Sequence, residues 1–310
     1  MDKIKMKIYN DISAKILEHL SNNKVKYNIK EENNHIIECI NKYPQKNKNK
    51  IEIEVDERFS MRMISLLNWK EKMVYTIPRK VYISQHLLQN MNENIEESIT
   101  DKIYEFKKKF EMGEDINSNL SKGIFDSNSL DYILNIWNIK HLHLSNSVEL
   151  NKNKMSSNRS DYLLFFTLNN DNVYFIDVRK HPKGAGFTSF KFLEILEENN
   201  WLNIIGLNKI EDCLGLSIVI EKDEDIYELT KSGINIIYKI NGAYYINVMG
   251  IALRGNKINH TSKLINIRKE INRLLDESKI EYIGFDLNLN EYLGVVKYKK
   301  NCKYYQLVLY

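Results

Sequence analysis

Two strongly apolar runs, 162–168 (YLLFFTL) and 173–179 (VYFIDVR), are separated by Asn169, Asn170, Asp171 and Asn172. Such side chains hydrogen-bond their own backbone and tolerate positive φ, so the break reads as a turn and the runs as antiparallel strands. Asn241-Gly242, set between INIIYKI and AYYINV, predicts a tighter hairpin with both turn residues at positive φ. A third hairpin, 292–299 against 302–309, closes the chain. Helical periodicity fills much of the rest. The expected class is α+β: an N-terminal α+β module, a helical linker, and a C-terminal, mainly antiparallel sheet with packed helices.

A chain of 310 residues exceeds the usual size of one hydrophobic core, and two domains are expected, 1–112 and 128–310. In the first, helices at 11–20, 35–41 and 59–69 alternate with strands at 24–29 and 51–55 (IEIEV), and an extended stretch covers 73–84 around Pro78. Residues 86–110 carry Leu87, Met91, Ile95, Ile99, Ile103 and Phe106 at helical spacing, which reads as one long linking helix. Gly113 is its stop signal, and the polar stretch to Ser127 is the boundary. In the second, a short helix at 129–135 precedes a strand at 140–144 and a polar loop at 146–160. Thr188 or Ser189 caps a helix running to Asn200, and a further helix covers 261–277.

Lys140 to Lys191 holds eight Lys and Arg against four Asp and Glu, a surplus of four that equals the net charge of the whole chain. A local basic surplus suits a polyanionic partner if the charges share a surface. No run approaches the roughly 20 apolar residues of a membrane span, and MDKIKMKIYNDIS lacks a signal-peptide core. A cytoplasmic protein with no membrane partner is expected. Cys39, Cys213 and Cys302 fit neither a disulfide framework nor a zinc spacing, and no cofactor or metal is expected.

The basic segment also collects three of the seven histidines. In His141-Leu142-His143-Leu144 the strand period puts both imidazoles on one face, with the leucines anchoring the core and the histidines facing a cleft. Imidazole titrates near working pH, so a pair can divide acid and base roles. With His181 and Arg159 these residues supply what metal-free phosphodiester cleavage needs: a base for the ribose 2′-hydroxyl, an acid for the departing 5′-oxygen, and a planar cation for the phosphate. Lys152, Lys154, Arg179 and Lys183 would hold flanking phosphates. His19, His35 and His86 show no companion and read as packing residues.

The succession IWNIKHLHLS, Arg159-Ser160-Asp161 before DYLLFFTL, and VYFIDVRKH resembles bacterial and phage-associated proteins of toxin or phage-defence type. Its residue types also resemble the RelE-like, barnase–colicin-like metal-independent endoribonucleases. The resemblance covers about a quarter of the chain and implies a small antiparallel sheet packed on helices, cutting RNA with side chains projecting from that sheet. It also implies a neutralising protein partner. The N-terminal portion and the strands after Gly233 depart from such compact enzymes.

Three rival chemistries are legible. Asp161 with Asp177-Val178-Arg179 is arranged like the carboxylates of a magnesium-dependent restriction-type nuclease, but arginine stands where that chemistry wants a lysine and stays protonated. His143-Leu144-Ser145 and His260-Thr261-Ser262 repeat a His-x-Ser/Thr pattern of cyclic phosphodiesterases, although Thr261 or Ser262 reads better as a helix cap. His141, His143 and His181 would make a three-histidine zinc set lacking a carboxylate partner. The non-catalytic alternative is a nucleic-acid- or protein-binding module using the same cations, with Tyr162, Tyr174 and Phe187 available for stacking.

Overall fold

The computed structural model describes residues 3–42, 50–127, 129, 131–144, 162–211, 220, 222–232, 234–247, 258–276, 280–288 and 293–308. The chain runs α1 (Lys3–Asn22), α2 (Ile29–Lys42), α3 (Lys50–Lys72), β1 (Lys80–Ile83), α4 (Gln85–Glu93), α5 (Glu97–Met112) and α6 (Tyr132–Trp137). It continues β2 (Lys140–His143), β3 (Tyr162–Leu168), β4 (Asn172–Lys180), α7 (Lys191–Glu198), β5 (Leu207–Ile210) and α8 (Asp223–Lys231). The last elements are β6 (Ile237–Ile240), β7 (Ala243–Asn247), α9 (Ile258–Asp276), β8 (Ile280–Asn288), β9 (Leu293–Lys300) and β10 (Lys303–Val308). The class is α+β, with mostly antiparallel sheets. Among the described residues no helix is long and apolar enough to cross a membrane.

Two compact units form, and each is discontinuous: 1–71 with 125–129 and 259–310, and 72–124 with 130–258. From sequence the chain divides linearly near 113–127, because linear signals register turns and not which distant segments share a core. In the first unit α1 buries Ile8, Ile12 and Ile16, α3 buries Phe59, Met63 and Leu66, and α9 buries Ile267 and Ile271. Tyr9 stacks on Phe59 with ring centroids 4.0 Å apart. Segment 125–129 joins this unit through backbone pairing: Lys26 N–H donates to the Phe125 carbonyl at 2.8 Å and Ser127 N–H to the Lys26 carbonyl at 3.2 Å. That single bridge replaces the strand expected at 24–29. The expected strand at 51–55 is also overturned, since IEIEV opens α3. Ile51 is 54% exposed while Val55, Phe59 and Met63 are buried, so the period of four wins over a brief alternation.

The second unit is built on a four-stranded sheet of order β1-β4-β3-β2. The β3–β4 hairpin forms as expected, and Asn169 Oδ1 accepts from the backbone N–H groups of Asp171 and Asn172 at 3.2 and 2.9 Å. Strand β1 adds in parallel to β4, pairing Ile83 with Phe175. The stretch read as one long helix is two, α4 and α5, broken at Asn94, whose N–H donates to the Asn90 carbonyl. Rather than linking two domains, α5 lies within the second unit and packs Phe110 edge-on against Phe166 and Phe175 of the sheet, at 5.3 and 5.7 Å. It stops at Gly113, which is left-handed with φ 70°. Strands β6 and β7 meet through Asn241 (φ 47°) and Gly242 (φ 83°), the turn their sequence demands. Helix α7 is capped by neither Thr188 nor Ser189 side chains; Thr188 Oγ1 instead donates to the Ala185 carbonyl at 3.0 Å.

Candidate functional site

Register decides what lies beside the histidines. Residues directly opposed in an antiparallel ladder share a face, so His141, Phe165 and Asp177 form one row across β2, β3 and β4, and His143, Leu163 and Arg179 the next. The leucine of the His-Leu-His strand points to the other face. The histidine face was expected to open on a cleft, and it does not: every residue of β2 is buried, with His141 8% and His143 7% exposed. Phe165 and Phe187 close over His141, ring centroids 5.8 and 5.4 Å away. Burial, the dominant effect, holds the His141 pKa below its usual value; Asp131 partly offsets this, while His181 and Lys140 add to it. His141 is thus a neutral imidazole at working pH. Among the described residues its Nδ1 has no hydrogen-bond partner.

His181, one residue beyond β4, reaches back over this row. Its ring lies 5.9 Å from that of His143, nearly parallel at 28°, and meets Phe187 edge-on at 5.3 Å. His181 Nδ1 is 3.0 Å from the Pro182 carbonyl. A carbonyl only accepts, so in the neutral ring Nδ1 carries the proton and Nε2 presents the lone pair. His181 is exposed, as is Lys183. The three histidines expected to act together are therefore neighbours, with His141 and His143 both buried and His181 exposed.

Arg179, expected to grip phosphate, is engaged elsewhere. Its Nε donates to Asp177 Oδ2 at 2.7 Å, and its guanidinium carbon lies 4.0 Å from the Phe192 ring centroid. Asp177 is 3% exposed, and its other oxygen accepts from the Val178 N–H at 2.8 Å. Both carboxylate oxygens thus serve the fold, which weakens the restriction-type reading of Asp177. Arg159, Lys152, Lys154, Asp161 and Ser145 lie outside the described residues. His260, the second His-x-Ser/Thr histidine, belongs to the other unit and is buried between Asn68 Oδ1, 2.7 Å from Nδ1, and Glu71 Oε2, 2.5 Å from Nε2. Thr261 and Ser262 are inside α9 and cap nothing.

Two histidines read as solitary have partners. His86 Nε2 approaches Asp177 Oδ1 at 3.7 Å, brought there because β1 leads into α4 alongside β4. His35 meets Cys39 and Glu57 in the first unit. The signal for Cys39 was its position four residues after His35, on one helical face; for His86 no local signal exists. Among the described residues the three histidines of the second unit do not bring ligand atoms to one point, and the zinc reading there loses its basis. Comparison with protein-family models, curated proteins and solved structures finds no match.

Proposed function

We propose that the second unit is a metal-independent endoribonuclease in which His143 and His181 divide the acid and base roles. The stacked His143–His181 pair, in which His181 is exposed and His143 buried, supports this reading. The reaction needs one neutral and one protonated imidazole within reach of the same phosphate. The neutral ring takes the 2′-hydroxyl proton, the 2′-oxygen attacks phosphorus, and the protonated ring supplies the departing 5′-oxygen, leaving a 2′,3′-cyclic phosphate. His141, held neutral by burial and covered by Phe165 and Phe187, then acts as a positioning residue beside the pair. Lys183, exposed and two residues beyond His181, is the candidate for a flanking phosphate, with Arg159 the candidate for the transition-state charge. A toxin-type enzyme of this kind acts on cytoplasmic RNA and is held in check by a neutralising protein.

The test is incubation of the full chain with mixed RNA and mixed DNA, with and without chelator, beside His143→Ala and His181→Ala. RNA cleavage that survives chelator, ends in cyclic phosphate and disappears in both variants with RNA binding retained supports the reading. Magnesium-dependent DNA cutting would move the chemistry to Asp161 and Asp177, and binding without turnover in any condition would leave a binding module.

A further inference from the structure

We infer that His35, Cys39 and Glu57 form a binding site for a zinc-class divalent transition ion in the first unit, unconnected with the residues of the proposed nuclease site. His35 and Cys39 are four residues apart on α2, hence on one helical face. Glu57 comes from α3. The ligand atoms of the three lie within 4.8 Å of one another, and no other such trio occurs among the described residues.

Two of the separations match the edges of a tetrahedral coordination sphere. His35 Nε2 is 3.2 Å from Glu57 Oε2 and 3.4 Å from Cys39 Sγ. With metal–nitrogen and metal–oxygen bonds of about 2.0 Å and a metal–sulfur bond of about 2.3 Å, tetrahedral edges are roughly 3.3 Å for N to O and roughly 3.5 Å for N to S. Hydrogen bonding accounts for both contacts together only through one Nε2–H shared as a three-centre bond between carboxylate and sulfur. If Nε2–H donates to Glu57 it has no lone pair for the thiol; if Nε2 accepts from the thiol it turns a lone pair toward a carboxylate. A cation at the common point satisfies all three donors together.

The donor set selects the ion. Imidazole, thiolate and carboxylate are the three ligand types zinc combines, whereas calcium and magnesium prefer oxygen alone. Three protein ligands leave a fourth position for water or an external donor, as in open rather than closed zinc sites. All three side chains are partly accessible, His35 at 17% and Glu57 at 31% with Cys39 half-buried, so the ion has an entry path. On binding, the thiol proton and any proton on Nε2 pass to solvent, and affinity therefore rises with pH.

The test is titration of the chelator-stripped full chain with cobalt(II), then zinc(II). The expected result is a near-ultraviolet thiolate-to-cobalt charge-transfer band saturating at one equivalent, bleached by zinc, absent in Cys39→Ser and retained in Cys213→Ser and Cys302→Ser. Glu57→Gln, a conservative change at a partly exposed position, should keep the fold by circular dichroism and weaken affinity by about tenfold or more. A wild-type chain without the band, or a Cys39→Ser chain that binds cobalt with the same spectrum, overturns the assignment.

Discussion

Protonating His141 should destabilise the second unit, and the effect has a calculable ceiling. The native ring resists protonation because it is buried between Phe165 and Phe187, whereas in the unfolded chain it titrates near pH 6.5. The unfolded state therefore binds more protons below that pH, and stability falls as pH falls. The titration of the unfolded ring sets the ceiling, on the order of 1–2 kcal/mol at about pH 5.5. With a urea slope of about 1–3 kcal/mol/M, this shifts the midpoint by about 0.5–1.5 M. His141→Gln keeps a polar side chain and removes the titration, so the difference between wild type and variant isolates the ring. A Trp69→Phe background leaves Trp137 and Trp201, both in this unit, as the fluorescence reporters. Equal pH dependence in the two proteins between about pH 7 and 5 would refute the buried neutral imidazole and, with it, the positioning role of His141.

Other perturbations test the packing around the sites. Arg62 donates to both oxygens of the fully buried Glu32, at 2.9 and 3.1 Å, and to the Ser13 carbonyl at 3.1 Å. Arg62→Met should cost about 1.5–3 kcal/mol in urea unfolding, since Arg58 Nε, 3.6 Å from Glu32 Oε1, still faces the carboxylate, and adding Glu32→Leu should recover much of it; an Arg62→Met loss below about 1 kcal/mol contradicts the pair's burial. At Gly113 a Cβ would lie 2.7 Å from the Ile77 carbonyl carbon and the Pro78 nitrogen, at φ +70°. Gly113→Ala should therefore cost more than about 1 kcal/mol, and an unchanged melting temperature would show that the α5 terminus yields. Burial, aided by Lys263, pulls the Lys70 pKa down to about 8. The native state disfavours that charge, so stability should rise with pH between about 8 and 10.5, and Lys70→Met should gain up to about 3 kcal/mol at neutral pH. A destabilised variant would mean that the ammonium holds partners stronger than its desolvation.

Much of the local architecture was written in short stretches of chain. The 162–180 hairpin, the Asn241-Gly242 turn and the Gly113 helix stop follow from apolar patterning and from which residues accept positive φ. The neighbourhood of His141, His143 and His181 was legible for the same reason: one lies two residues from another on a strand, and the third follows the hairpin partner. Where local signals conflicted, as in IEIEV, five alternating residues lost to a helical face that continues through Phe59 and Met63.

Sequence alone thus determined the class, the hairpins and the membership of the histidine group. Tertiary structure decided its chemistry. Phe165 and Phe187 cover His141, whereas His181 is exposed. The parallel β1–β4 pairing delivered His86 to Asp177, and the packing of α2 against α3 brought Glu57 to His35. Turn and helix signals act over a few residues through backbone sterics, whereas burial and charge pairing depend on which distant surfaces exclude water from each other, and no local pattern encodes that.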